Sequence, residues 1–365
     1  MENRNDRPRT GNGRGNGAGR RDGRRDERAA AAVKHIDEME RRFAKEIEAA
    51  AAATQFIDGM PEKAAPAAAA PAEPVAGDLG AEATDVSTAP EEAPAEPAAA
   101  AASEQEPEPA IEPEPASVAL PTVTVVDQDA VAAILERGRG RAQYTDLAVL
   151  DFASFTSPGG GYERGAWAQE EAMCSESFLY NVLKRHKGWY AENRRRNMNC
   201  NLYRNRGLVV PRVRFARDRM HAYADVIVVA APNRRFAKSD YGVADDALEA
   251  AMRDRIRFAL RIAEGLGHGR VILGAFGCGA FGWDAAVVAP MFLEELSSGV
   301  YDLQEVVFAI PKARFNENHE QFAHVLAKFP EKNEVSFADA KVAAAAAAAE
   351  PAEDEDDEDW RKYLG

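Results

Sequence analysis

The sequence predicts an α/β fold of three layers, with helices on both faces of a central mixed, mostly parallel sheet. The first observation is that strand-like apolar runs alternate with helical patterns over residues 118–332, which is typical of parallel sheets with crossover helices. The second is that two of these strands are each followed by a glycine-rich loop and then a helix. Ligands bind at the carboxyl ends of strands in such sheets, so a functional site is expected at these loops.

The individual elements are predicted from apolar periodicity. The strand-like runs are TVTVV, DLAVLDFA, LVVPRVRF, DVIVVAAP, RVILGAF and EVVFAIP. Apolar spacing of three and four residues predicts helices over 127–137, 168–186, 243–266, 284–298 and 316–329. Together these elements predict one domain of ordinary size over 118–332.

The segments that flank this domain differ from it in composition. Residues 1–28 are rich in Arg, Gly and Asn and are predicted to be a disordered tail, whereas 29–58 have the spacing of an amphipathic helix that packs on the main domain. Residues 61–116 are Ala, Pro and Glu, which predicts an extended linker, and 333–365 form an acidic tail. Much of the formal net charge of −15 therefore lies outside the domain.

Composition also excludes several classes of protein. The cysteines Cys174, Cys200 and Cys278 are too few and too scattered for a disulfide framework or a zinc site, and the six histidines have no metal-ligand spacing. The arginine-rich start lacks the apolar core of a secretory signal, and no run approaches the roughly 18 apolar residues of a membrane span. We therefore expect a cytoplasmic protein with no metal, no cofactor and no membrane contact.

The two glycine loops are the strongest functional signal. SPGGGYERGAWAQEE contains three consecutive glycines, Gly159, Gly160 and Gly161, followed by the adjacent acids Glu170 and Glu171. GAFGCGAFGWD follows a later strand and also precedes a helix. Glycine N–H groups and a helix N-terminus together bind anions, so two such loops predict a diphosphate held from both sides.

Other nucleotide-binding motifs fit less well. Neither loop has the lysine and Ser/Thr of a P-loop. GCGAFG satisfies the pattern G-x-G-x-x-G, but the following strand ends in VVFAIP without the acid that would hold a ribose in a dinucleotide site. The loop is also the last glycine loop of the domain, which disfavours a dinucleotide fold.

These stretches resemble a known family. LDFASFTSPGGGYERGAWAQEEAMCSESFLYNVL is similar to the signature of the bacterial-type poly(ADP-ribose) glycohydrolases, in the macrodomain superfamily, and DVIVVAAPN and VILGAFGCGAFG resemble that family's later segments in the same order. The resemblance covers most of 118–312. It implies a macrodomain that hydrolyses the O-glycosidic bond of ADP-ribose polymer or ADP-ribosylated targets and releases ADP-ribose. The alternative is a macrodomain that binds ADP-ribose without cleaving it.

The resemblance also assigns roles to residues. Glu171 matches the catalytic acid, and Glu170 matches the neighbour that binds the ribose at the scissile bond. Two positions depart from the family: Asp151 stands where bacterial members mostly have Asn, and Trp283 replaces a frequent Asn, which is expected to alter the pocket rim. The residues that the resemblance assigns to substrate binding are Asp151, Ser154, Gly159, Gly160, Gly161, Gln169, Gly277, Cys278, Gly279, Phe281 and Gly282.

The chemistry of the two acids can be argued from helix geometry. Adjacent residues on a helix point roughly 100° apart, so Glu170 and Glu171 cannot face one another across a sugar ring. One carboxyl must then act first as acid and later as base. Acids are also common in a first helical turn because of the helix dipole, and it is the preceding glycines that favour a catalytic interpretation.

A basic run over residues 184–219 stands out in this acidic chain. A solvated basic face and a surface that attracts a polyanion are both consistent with it. The polyanion would be ADP-ribose polymer or ADP-ribosylated nucleic acid, contacted through this run and through the Arg/Gly tail.

Overall fold

The computed structural model describes residues 16–62 and 119–349. The predicted linker falls almost entirely outside these residues, as do 1–15 and the last part of the acidic tail. Within the described ranges the chain forms one seven-stranded sheet covered by helices on both faces. None of the described helices combines the length and the apolar character that a bilayer span requires.

The sheet is mixed and mostly parallel, as predicted. Its order is β1-β4-β5-β3-β6-β7-β2; β5, β3, β6, β7 and β2 run parallel to one another, and β1, β4 and β5 pair antiparallel. The strands are β1 Gln55–Asp58, β2 Thr122–Val126, β3 Ala148–Phe152, β4 Arg206–Arg217, β5 Met220–Val229, β6 Arg270–Leu273 and β7 Glu305–Ala309.

The helices form the two outer layers. They are α1 Asn16–Ala52, α2 Ala130–Arg137, α3 Gln169–Ser175, α4 Leu179–Leu183, α5 Lys187–Arg196, α6 Arg234–Tyr241, α7 Asp245–Gly265, α8 Ala285–Ser297, α9 Asn318–Leu326 and α10 Phe337–Ala349. Asp129 and Asp284 cap α2 and α8 by accepting hydrogen bonds from the N–H groups of Ala132 and Ala286.

Alternation along the strands produces two cores. Leu150 of β3 lies in the core formed with α7, α8 and α9, whereas its neighbour Val149 lies in the opposite core with α1, α2, α3 and α4. Successive side chains of a strand point to opposite faces, so a central strand that is apolar at every position must be covered on both sides. This accounts for the three layers.

Helix α1 is longer at its start than predicted and shorter at its end. It begins at Asn16, inside the segment predicted to be disordered, because Arg and Ala favour helix and because Arg25 and Arg28 donate to the carbonyls of Arg164 and Gly165. It ends at Ala52 rather than at residue 58, since residues 55–58 pair with β4 as an edge strand. A tertiary partner overrides the helical pattern there.

The predicted helix over 168–186 is broken in the structure. Ser177 interrupts it: its hydroxyl donates to the Met173 carbonyl and accepts from the Leu179 N–H, which ends α3 and starts α4. Helices α5 and α6 were not predicted, because both are polar and have too little apolar periodicity to be recognised.

The predicted acidic tail over 333–365 is partly helical. Helix α10 covers its alanine-rich start, where helix propensity is highest. Ser336 precedes the helix and accepts a hydrogen bond from the Asp339 N–H, as an N-cap does.

Candidate active site

The sheet topology brings the two glycine loops together. The loop SPGGG follows β3, the loop GAFGCGAFG follows β6, and β3 and β6 are parallel neighbours. The carboxyl ends of both strands therefore meet at the same edge of the sheet. Helix α3, which carries both acids, continues from the first loop, and α8 continues from the second.

The glycines of the first loop are required by their backbone conformation and by close packing. Gly159 and Gly160 have φ values of +63° and +61°, in the left-handed region that side-chain-bearing residues rarely adopt. A Cβ atom on Gly160 would lie 2.5 Å from Oε1 of Glu171 and 2.8 Å from Oε2 of Glu170. Both carboxylates thus converge on this one glycine.

Backbone N–H groups hold the two acids in place. Glu171 accepts a hydrogen bond of 2.8 Å from the Gly161 N–H, and Glu170 accepts one of 2.7 Å from the Ser154 N–H. Gln169 ties α3 to the end of β3: it accepts from the Phe152 N–H at 2.9 Å and donates to the Leu150 carbonyl at 2.9 Å. Gln169 therefore positions the acids through the main chain.

Burial and mutual repulsion disfavour charge on two of the three carboxyls at the site. Asp151 and Glu170 are almost fully buried. Burial is the main cause that raises the pKa of Asp151 well above its ordinary value, and the charge of Glu171 adds to it. Burial likewise raises the pKa of Glu170, with Asp151 as the next contribution. Both oxygens of Asp151 and Oε1 of Glu170 have no hydrogen-bond partner among the described residues.

This environment predicts how stability depends on pH. A carboxyl with a raised folded-state pKa binds its proton more tightly when folded, so the free energy of unfolding falls as pH rises above the ordinary values of 3.8 and 4.5. We expect Asp151→Asn, which removes one of these charges, to unfold at higher urea concentration than wild type at pH 7.5. The difference is expected to shrink at pH 4.5. A difference of equal size at both pH values would contradict this explanation.

The N–H groups of the two loops are used differently. In the first loop Gly160 donates to the Ser157 carbonyl and Gly161 donates to Glu171. The N–H groups of Gly160 and Gly161 therefore have partners within the protein, and the expectation that this loop binds the diphosphate stays a prediction. That an acid on the following helix accepts the Gly161 N–H is not apparent from the sequence pattern.

The second loop, by contrast, keeps N–H groups free. The N–H groups of Gly277, Gly279, Ala280 and Phe281 have no acceptor within the described residues. A Cβ atom on Gly279 would meet nothing within 4 Å, so this glycine faces open space. Free N–H groups next to the start of a helix form a binding site for an anion, and the diphosphate role of this loop stays a prediction.

A cavity of about 540 Å³ adjoins the second loop and the start of α3. This volume is within the range of about 300–1,000 Å³ that small-molecule sites occupy. Its walls are mostly apolar with a few polar groups. Among the residues that line it are Asp129, Phe152, Trp167, Gln169, Phe276, Gly277, Gly279, Phe281, Ile310, Pro311, Asn316 and Asn318.

Some predicted site residues lie elsewhere. Cys278 does not line the cavity; its thiol packs toward the Phe276 carbonyl, and burial raises its pKa to about 12. Trp283 is buried in the core, where its indole N–H donates to the Pro232 carbonyl, so it does not form the pocket rim as expected. Ser154 contributes its backbone N–H, and Gly282 has a φ of +78° that turns the loop into α8.

The site also includes residues that the sequence did not indicate. The ring of Trp167 is 60% exposed at the cavity edge. Helix α1 clamps the first loop: the hydroxyl of Tyr162 lies 2.9 Å from Nδ1 of His35, and a Cβ atom on Gly165 would lie only 2.0 Å from the Arg25 carbonyl. An aromatic residue beside a glycine loop is a sequence signal that could have identified Trp167. No local pattern in the sequence reveals the contact between α1 and the first loop.

The described residues contain no group of acidic, histidine and cysteine side chains that could hold a metal ion. The described site itself supplies carboxyl groups, backbone N–H groups and a cavity. Neither acid lines the cavity, although their neighbour Gln169 does. A buried pair of adjacent carboxyls is suited to proton transfer to and from a bound substrate.

Comparison with known proteins gives matches of two kinds. A family model described as "Microbial-type PARG, catalytic domain", where PARG is poly(ADP-ribose) glycohydrolase, matches residues 37–218, a range that includes the first loop and both acids. A search of curated proteins finds no match.

Solved structures provide the second kind of match. A poly(ADP-ribose) glycohydrolase from Thermomonospora curvata, bound to the inhibitor ADP-HPD, is 24% identical with a TM-score of 0.58, over 82% of this chain and 98% of that one. This similarity supports the fold. A poly(ADP-ribose) glycohydrolase from Deinococcus radiodurans in complex with ADP-ribose is 29% identical with a TM-score of 0.51, over 57% of this chain and 85% of that one.

Proposed function

Because the chain belongs to the microbial-type poly(ADP-ribose) glycohydrolase family, we propose that Glu171 is the general acid and base of its reaction and that Glu170 holds the ribose at the scissile bond. The activity is that of a glycosidase, which hydrolyses the O-glycosidic bond of ADP-ribose polymer or ADP-ribosylated targets and releases ADP-ribose. The family match is to a catalytic domain, so a macrodomain that only binds ADP-ribose is not favoured.

The observation that carries the assignment is the convergence of both carboxylates on Gly160. Glu171 is held by the N–H of the loop itself, whereas Glu170 is held by the Ser154 N–H at the end of β3. Only one oxygen of Glu171 is used in its hydrogen bond to Gly161, so the carboxyl retains an oxygen for proton transfer. Adjacent acids with different supports are consistent with one transferring protons and the other holding the sugar.

The reaction divides into two proton transfers. Glu171 first donates its proton to the glycosidic oxygen as the bond between that oxygen and the anomeric carbon breaks, which leaves positive charge on the ribose. The resulting carboxylate then takes a proton from a water molecule whose oxygen bonds to the anomeric carbon. One water is consumed, Glu171 ends protonated again, and ADP-ribose is released.

The cavity accounts for the nucleotide part of the substrate. The free N–H groups at Gly277, Gly279 and Phe281 suit the two phosphates, since they donate hydrogen bonds without the cost of displacing an internal acceptor. The apolar walls suit the adenosine. This arrangement supports binding of ADP-ribose, with the diphosphate between the acids and the base.

The direct test is to incubate the full-length protein with poly(ADP-ribose) and to quantify free ADP-ribose by chromatography. We expect release that increases linearly with enzyme concentration. Mono-ADP-ribosylated protein and ADP-ribosylated oligonucleotide are to be assayed in parallel, since the substrate class is open. Absence of ADP-ribose from all three substrates would exclude hydrolysis, and tight binding of ADP-ribose in that case would favour a binding module.

Two further proposals concern the cellular setting and nucleic acid. We infer a reducing, cytoplasmic setting from the free thiols Cys174, Cys200 and Cys278. Because Cys174 is buried, the test is alkylation of protein from cells after denaturation without a reductant, which should modify all three thiols. Nucleic-acid contact through the basic run stays a prediction. Part of that run is neutralised internally, because Arg185, Arg206 and Arg217 each form ion pairs with acids.

A further inference from the structure

A second cavity is lined by the first glycine loop. Its volume is about 370 Å³, and its walls come from the loop after β3 and from helices α4 and α5. It shares no lining residue with the larger cavity beside the second loop. The residues that line it are Thr156, Ser157, Pro158, Gly160, Glu163, Arg164, Tyr180, Lys187, Tyr190, Ala191 and Arg194.

This second cavity is basic. Arg164, Lys187 and Arg194 line it, and none of them has a carboxylate within 4 Å among the described residues. Arg164 and Arg194 instead donate to the carbonyls of Gly160 and Thr156, which holds both guanidinium groups at the loop while leaving their charge uncompensated. The one acid among the lining residues is Glu163, and it forms no ion pair with these three cations.

The cavity is adjacent to the proposed reaction centre. Gly160 lines it, and the same glycine is the point on which the carboxylates of Glu170 and Glu171 converge. Only the width of one glycine without a side chain therefore separates the acids from this cavity. With the nucleotide of the released unit in the larger cavity, as proposed above, the second cavity is available to the group on the other side of the scissile bond.

We propose that this second cavity binds the leaving group of the reaction, namely the next ADP-ribose unit of a polymer, through its diphosphate. This inference rests on the proposed function and specifies its substrate class. A diphosphate carries two negative charges at neutral pH, which match the unpaired cations at Lys187 and Arg194 and the loop arginine Arg164. A serine or other neutral side chain as the leaving group offers these cations nothing to bind.

The matching variants come from helix α5 itself. Lys187→Gln/Arg194→Gln removes two charges that line the cavity. Arg195→Gln/Arg196→Gln removes two charges from the same helix that do not line it and that are equally exposed to solvent. Net charge and long-range attraction change equally in the two variants. A difference in activity or affinity between them therefore measures the contribution of the charges that line the cavity.

We expect kcat/KM on poly(ADP-ribose) to be roughly tenfold lower in the cavity variant, through a higher KM, because two exposed charge contacts are lost. The control variant should have a kcat/KM close to that of wild type. The Kd of free ADP-ribose, which occupies only the larger cavity, is expected to be the same in all three proteins. Binding of a di-ADP-ribose fragment, measured by calorimetry in a Glu171→Gln background, should weaken by a similar factor in the cavity variant alone.

Several results would overturn this inference. They are an unchanged kcat/KM on polymer, an equal loss in the control variant, and a loss confined to ADP-ribosylated oligonucleotide, which would assign the cavity to a nucleic-acid backbone. Failure of the proposed function is distinguishable, because in that case wild type releases no ADP-ribose from polymer. The di-ADP-ribose titration then still decides the inference: equal affinity for the cavity variant and wild type rejects it.

Discussion

Replacement of Glu171 by glutamine is expected to lower kcat on ADP-ribose polymer by roughly 10²–10⁴-fold, the contribution typical of a general acid and base. The glutamine amide is too weak an acid to protonate the leaving oxygen and too weak a base to deprotonate water. Its oxygen can still accept the 2.8 Å hydrogen bond from the Gly161 N–H, so the loop should keep its conformation. The measurement is the initial rate of ADP-ribose release under saturating polymer.

Binding of ADP-ribose separates a chemical effect from a structural one. Glu171→Gln should bind ADP-ribose with an affinity within a few-fold of wild type, because the larger cavity and its free N–H groups are unaffected. Glu170→Gln serves as the contrast: since Glu170 is proposed to hold the ribose, its loss should weaken binding as well as rate. Full activity of Glu171→Gln would remove Glu171 from the mechanism.

Substitution of Gly160 by alanine should lower activity about 100-fold or more, because displacement of catalytic groups by about 1 Å has effects of this size. The added Cβ would stand 2.5 Å from Oε1 of Glu171 and 2.8 Å from Oε2 of Glu170, so the two carboxylates must move. The φ of +61° disfavours alanine in the folded state, so the free energy of unfolding should fall by about 1–2 kcal/mol. Steady-state rates and urea unfolding of the same preparation measure both effects.

A second glycine in the chain supplies the control for Gly160. Gly242, at the end of α6, has the same φ of +61°, but a Cβ atom there would meet nothing within 4 Å. Gly242→Ala should therefore lose a similar backbone contribution to stability and keep wild-type kcat. Equal loss of activity in both variants would mean that backbone strain alone, and not contact with the acids, explains the effect at Gly160.

Much of the fold follows from apolar patterns that are local in the chain. The central strand β3 is buried at nearly every position, which is why DLAVLDFA is recognisable as a strand covered on both faces. Polar elements were harder to predict. Helix α5 has three arginines in its last turn and few apolar residues, so its sequence indicates charge but not helix.

The break at Ser177 illustrates a further limit of sequence patterns. The apolar spacing of residues 168–186 continues across the break, because both α3 and α4 face the same core. The interruption depends on a hydroxyl that hydrogen-bonds to the backbone on both sides. Serine also occurs in many helices that it does not interrupt. Whether its hydroxyl breaks a helix therefore depends on the packing around it.

The sequence by itself determined the two acids, the glycines before them and the order of strands and loops, because these depend on residue type and on spacing along the chain. Only the tertiary structure decided how the glycine N–H groups are used. In the first loop the Gly161 N–H holds Glu171 and the Gly160 N–H closes a turn on Ser157, whereas several N–H groups of the second loop have no acceptor within the described residues. The physical reason is that a hydrogen-bond partner is chosen by proximity in space, and the neighbours β3 and β6, which place these loops side by side, lie more than 100 residues apart in the chain.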